Sequence, residues 1–231
     1  MSYKIDKESN EDLAKVIQDL YVLVRKMNSI AGSHSLTKDR LTNQKEIVKS
    51  EVREMREALD ENNLAEIALE SVDLLITLSE LVMILDGNED LTKNPPKYLN
   101  SGCRNVAQLV ADVEHSVEEE NWIDALGSAE DLVSQINADM CFNIKSVGES
   151  MLSKFTPMTF LEQSSETEFS LCEQLQGDRY EEVYSEVVDY QGEEFVVFKT
   201  KYDKKNNESY SKGKFLKSPL TFKDPQIIIF D

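Results

Sequence analysis

Apolar residues recur at helical spacing through the first two thirds of the chain. Leu13, Val16, Ile17, Leu20, Val24 and Met27 form one such stripe, with Asn10 placed to cap its helix. Turn-forming residues in AGSHSLTKD (31–39) predict a loop. A second helix is expected over about 40–59, where DENN breaks it, and a third over about 64–85, ending at DGNED. Proline cannot continue a helix, so TKNPPK (92–97) reads as extended. Further helical segments follow over 106–119 and 122–154.

Past Pro157 the period changes. Residues 184–190 and 194–202 are rich in β-branched and aromatic types around Gln191-Gly192, which signals a β-hairpin. Polar residues 203–211 read as a loop, and the final GKFLKSPLTFKDPQIIIFD as partly extended. The expected fold is mainly α: an antiparallel helical bundle over 1–156, with a β-hairpin and extended tail over 157–231. A weak internal repeat adds detail. IALESVDLLITL (67–78) aligns with DALGSAEDLVSQI (124–136) at an offset of 57, and EALDENNL with SVEEENW at about 58. The unit would be a helical hairpin present twice, over 40–86 and 100–155, the alternative being chance similarity between two amphipathic hairpins.

Composition narrows the function. The chain has 231 residues, enough for a full core, and a net charge of −19. Nucleic acid and anionic membranes reward Lys and Arg, so neither is expected as a partner. No apolar run reaches bilayer length, and MSYKIDKESN lacks a signal-peptide core, so a cytoplasmic location (of the host, for a viral protein) is expected. Cys103, Cys141 and Cys172 are odd in number and lack metal-ligand spacing, as reduced cysteines would. With only His34 and His115 there is little material for a histidine metal site or a catalytic triad.

An acidic chain can still handle phosphates if a divalent cation supplies the positive charge. Glu51 and Glu54 lie three apart in SEVREMREAL, as do Glu70 and Asp73 in AEIALESVDLLITL, so each pair shares one helix face. Acids at this spacing on a Glu-rich helix are ordinarily a solvated face. Glu70 and Asp73, however, stand among Ile67, Leu69, Val72, Leu74, Leu75 and Ile76. A short connection makes the two helices antiparallel neighbours and brings the pairs to one level. At ~5 Å and an effective dielectric of ~20, each like-charge pair repels by roughly 3 kcal/mol. Such acids take up protons, face water or hold cations, and oxygen-only donors select Mg²⁺ or Mn²⁺. The matching chemistry is hydrolysis of a phosphoric anhydride, with Glu54 the candidate to orient or deprotonate water.

Glu51-x-x-Glu54 followed by Glu70-x-x-Asp73 resembles the metal motif of the all-α nucleoside triphosphate pyrophosphohydrolases, a group that includes MazG-like proteins, dimeric dUTPases and dCTP pyrophosphatases. The likeness is clearest over 40–85 and extends over about 10–155. Ser50 departs from the family's usual E-E-x-x-E. ESMLSKF (149–155) and GKFLKSP (213–219) look like the later part of phage-type members, although Met151 replaces their usual Asn. The resemblance implies an all-α bundle and Mg²⁺-dependent hydrolysis of a (d)NTP, such as dUTP or dCTP, to (d)NMP and pyrophosphate. It makes Glu51, Glu54, Glu70 and Asp73 metal ligands, Lys154 a phosphate contact, and Asn28 and His34 base-reading groups after the first helix. A homodimer is implied unless the second hairpin supplies the other half of the pocket. In that case Glu70 maps to Gly127, Asp73 to Glu130, and Glu51 and Glu54 near Leu109 and Asp112. The second copy then holds no such cluster, and walls the pocket while supplying Lys145 and Lys154.

Lys212, Lys214 and Lys217 in the tail could fold over the phosphates or simply be solvated. Trp122 suits core packing better than base stacking. Two other readings stay open: a non-catalytic nucleotide-binding regulator, and an acidic protein that mimics DNA charge. The mimic does not account for acids within an apolar helix.

Overall fold

The computed structural model describes residues 7–30, 38–86, 104–140, 142–153, 158–159, 179–205 and 207–216. Its helices are α1 (Lys7–Ile30), α2 (Lys38–Asp60), α3 (Leu64–Asp86), α4 (Val106–Glu118), α5 (Trp122–Met140) and α6 (Ile144–Ser153). The strands are β1 (Met158–Thr159), β2 (Tyr180–Tyr190), β3 (Glu193–Asp203) and β4 (Glu208–Phe215). The described chain is thus mainly helical with a small antiparallel sheet. Two compact units divide it: α1 up to Arg25 joins the helices as far as Met151 in the first, while Lys26–Ile30 joins the strands in the second.

In the first unit α2 packs along α3, α4 along α5, and α3 against α5. Placement at the centre explains the composition of α3, which is buried nearly all round. Its hydroxyls are satisfied within the helix: Ser71, Thr77 and Ser79 donate to the carbonyls of Ala68, Leu74 and Ile76 at 2.8–3.1 Å. That removes the cost of burying them. α1 crosses onto the bundle where buried Leu20 meets Gly148 of α6. A Cβ on Gly148 would lie 2.4 Å from Leu20 Cδ2, so any larger residue would have to push the Leu20 side chain aside.

The two hairpins repeat one another in detail. Asn62 and Glu120 adopt left-handed φ of 52° and 55° after α2 and α4. Asn63 N–H donates to the Ala58 carbonyl and Asn121 N–H to that of Ser116, while Asn62 donates to Leu59 and Glu120 to Val117. Both are Schellman closures, and every equivalent pair is 58 residues apart. The 57-residue alignment expected for the third helix is therefore one residue short. Glu70 corresponds to Ser128, not Gly127, and Asp73 to Asp131, not Glu130; Glu54 corresponds to Asp112 and Glu51 to Leu109.

Other boundaries differ from expectation. α1 begins at Lys7, which puts Asn10 inside the helix rather than at its cap, and runs to Ile30, which puts Asn28 inside it too. The helix expected over 122–154 is two, since α5 ends at Met140 and α6 starts at Ile144. In the second unit, β2 and β3 pair around Gln191 and Gly192, whose φ of 57° and 86° suit a primed hairpin turn. Residues 208–211, expected in a loop, belong to β4, which pairs with β3. Asp203 closes that end of the sheet: fully buried, it accepts from Arg179 Nη2 at 3.1 Å and from the Lys205 amide. Successive β3 residues bury both faces, Val196 and Phe198 against Leu216, Phe195 and Val197 against Ile30.

Candidate metal centre

The register of α2 on α3 is set by two polar ties. Arg40 donates to Glu80 at 2.8 Å, and Gln44 Nε2 to the Thr77 carbonyl at 3.1 Å. Burial raises the Glu80 pKa against the opposing pull of Arg40. Seven residues on from Gln44 along α2 is Glu51, and seven back from Thr77 along α3 is Glu70. In an antiparallel pair these fall at one level. The carboxylates of Glu51, Glu70 and Asp73 converge there, with one oxygen from each within 4.8 Å of the others. All three residues are half-buried.

Glu54 stands apart from the trio. It is exposed one turn along α2 and accepts from Ser50 Oγ at 3.2 Å. Ser50 is the departure from the motif, so its partner here is Glu54 itself.

The trio suits a hard divalent ion. Its donors are all carboxylate oxygens, as Mg²⁺ and Mn²⁺ prefer. Octahedral bonds of about 2.1 Å place ligand oxygens roughly 3.0–4.2 Å apart, so closing from 4.8 Å needs only side-chain adjustment. Acids from neighbouring helices held at fixed level are also a recurrent way of building metal sites in helical bundles.

The remaining candidates are dispersed. Lys145 is exposed on α6 and pairs with Glu149 at 3.8 Å. Asn28 is half-buried near the end of α1, in the second unit. His34, Lys154, Lys217 and the three cysteines lie outside the described residues. Trp122 is 7% exposed at the start of α5, with Lys45 Nζ 5.3 Å from its ring centroid, which bears out core packing.

Two features were missed from sequence. Tyr21, buried in α1, donates to Glu130 at 2.5 Å, and burial raises the Glu130 pKa, with Asp131 adding to the rise. An open groove of about 470 Å³ lies on the second hairpin, lined by Asp112, His115, Gly127, Ser128 and Asp131 among others. Three of these occupy the positions of Glu54, Glu70 and Asp73 in the first hairpin. An alignment held at 58 throughout would have located it.

Among the described residues no helix is long and apolar enough to cross a membrane. No family model, curated protein or solved structure matches the chain.

Proposed function

We propose that this chain is a Mg²⁺-dependent nucleoside triphosphate pyrophosphohydrolase, releasing a nucleoside monophosphate and pyrophosphate. The observation that carries the reading is the convergence of Glu51, Glu70 and Asp73 from two helices at one level. Three acids gathered and half-buried against the apolar helix α3 are poorly explained as a solvated face. They are equally unsuited to mimicry of DNA, which needs its charges spread over open surface.

In this reading Glu51, Glu70 and Asp73 hold Mg²⁺, or Mn²⁺ in its place. When bound, the ion neutralises triphosphate charge and favours attack by water on the anhydride. The chain's own part is positional. The Arg40–Glu80 and Gln44–Thr77 ties keep the two helices in register, so the donors need little reorganisation as substrate binds. Glu54, exposed and one turn from Glu51, would accept the proton of the attacking water. Water adds to phosphorus, the bond between the α and β phosphates breaks, and pyrophosphate leaves. Resemblance makes dUTP and dCTP the first substrates to try.

The test is incubation with each nucleotide and Mg²⁺, followed by product analysis. Pyrophosphate and monophosphate are expected. Orthophosphate with a diphosphate would place the cleavage elsewhere, and no turnover of any triphosphate would end the proposal.

A further inference from the structure

The second hairpin keeps part of the acidic arrangement of the first. Asp112 takes the position of Glu54 and Asp131 that of Asp73, while Ser128 and Leu109 stand where Glu70 and Glu51 would be. The two retained carboxylates share one cation. Arg104 Nη1 lies 3.5 Å from Asp112 Oδ2 and 4.0 Å from Asp131 Oδ2. Arg104 is placed there by the start of α4, since the next residue, Asn105, caps that helix by accepting from the Ala107 amide at 2.8 Å.

We propose that Arg104 is a built-in counter-cation that makes the second half-site independent of metal. Its positive charge serves two carboxylates at once, both contacts running from the one nitrogen Nη1. It would do for Asp112 and Asp131 what a divalent ion is proposed to do for Glu51, Glu70 and Asp73. It would also repel any such ion, since a divalent charge about 5 Å from a fixed positive charge is disfavoured roughly tenfold even at the dielectric constant of water. The duplicated core then carries one divalent site, and the groove beside Arg104 stays free of metal.

The comparison with the first hairpin rests on the proposed metal centre, so the test is made in the Asp73→Asn background, where that centre is disabled. Mn²⁺ binding is followed by its paramagnetic effect on water relaxation, with circular dichroism as the check on folding. Asp73→Asn alone should bind no Mn²⁺ at submillimolar concentration. Asp73→Asn with Arg104→Gln should bind one ion at least tenfold more tightly, and adding Asp131→Asn should abolish that binding. Arg104→Lys in the same background keeps the charge and should exclude Mn²⁺ as the arginine does. Equal Mn²⁺ affinity with and without Arg104 would overturn the proposal, as would an Arg104→Gln protein that folds yet gains no site. A wild-type protein that binds no Mn²⁺ would sink the metal reading of the first hairpin alone, because the Arg104 comparison is made without it.

Discussion

Arg56 and Glu114, 58 residues apart, are equivalent positions of the two helical hairpins, and they bind each other. Arg56 Nε donates to Glu114 Oε1 at 2.8 Å and Nη2 donates to Oε2, so the guanidinium grips the carboxylate with both arms. Two identical halves would set like charges against each other there. Here the two positions carry opposite charges.

The pair is about one third exposed on each side, so solvent screens it and its worth is small. Arg56→Glu should lower stability by about 1 kcal/mol, through the lost pair and the new repulsion. Arg56→Glu with Glu114→Arg should recover most of that. Urea denaturation of the four proteins of the cycle measures it, and a double variant no better than the sum of its parts would refute the pairing.

Asp73→Asn should reduce turnover on the order of 10²–10³-fold, since a lost ligand removes several kcal/mol of charge stabilisation. The helical circular dichroism should be unchanged. The rise in melting temperature on adding Mg²⁺ should vanish with the activity. Persistent activity would show that the site lies elsewhere.

At Gly148 two effects compete. Alanine favours a helix by about 1 kcal/mol over glycine. Against this, its methyl would meet Leu20, which is buried and has little room to give. Overpacking of this kind costs about 1–3 kcal/mol, so Gly148→Ala should be net destabilising. Gly148→Ala with Leu20→Ala would relieve the clash but leave a cavity. Thermal melts decide the sign, and a stabilised Gly148→Ala protein would contradict the close approach.

Glu130 gives the protein a pH dependence of definite sign. Burial raises its pKa above the ordinary 4.5, so the folded chain holds this proton more tightly than the unfolded one. Its contribution to stability is full below that value and is lost as pH rises through the folded pKa. Glu130→Gln keeps an acceptor for Tyr21 without the charge. The variant should be more stable than wild type at neutral pH, by about 1.4 kcal/mol for each unit of pKa removed, and the gap should close below pH 4. Denaturant titrations at a series of pH values test this, and a gap that widened toward acid would reverse the argument.

In the sheet, Gln191 holds a left-handed φ that asparagine tolerates better. Gln191→Asn should stabilise the second unit by about 0.5 kcal/mol. Limited proteolysis within the sheet would report it as slower cleavage.

The sequence by itself determined the helical character and the four acids, because both are local. Helical period is written residue by residue, and acids three apart share a face wherever a helix forms. It also located the Gln191-Gly192 turn, whose glycine is the residue such backbone requires. β4 was illegible because 208–211 is polar, and its strand conformation comes from pairing with β3 rather than from its own propensity. The break between α5 and α6 was equally hidden, since Phe142 and Ile144 continue an apolar pattern that the backbone does not follow.

Only the tertiary structure decided which acids meet. Glu51 and Glu54 are alike in sequence, yet the ties of Arg40 to Glu80 and Gln44 to Thr77 turn Glu51 toward α3 and leave Glu54 in solvent. The repeat register was decided the same way. A short stretch of amphipathic helix aligns almost as well one residue off, whereas a Schellman turn has a single backbone solution. That solution moves the equivalents of Glu70 and Asp73 onto Ser128 and Asp131. Helix packing is a long-range property in which one residue of shift rotates a side chain by about 100°, and no local pattern records the outcome.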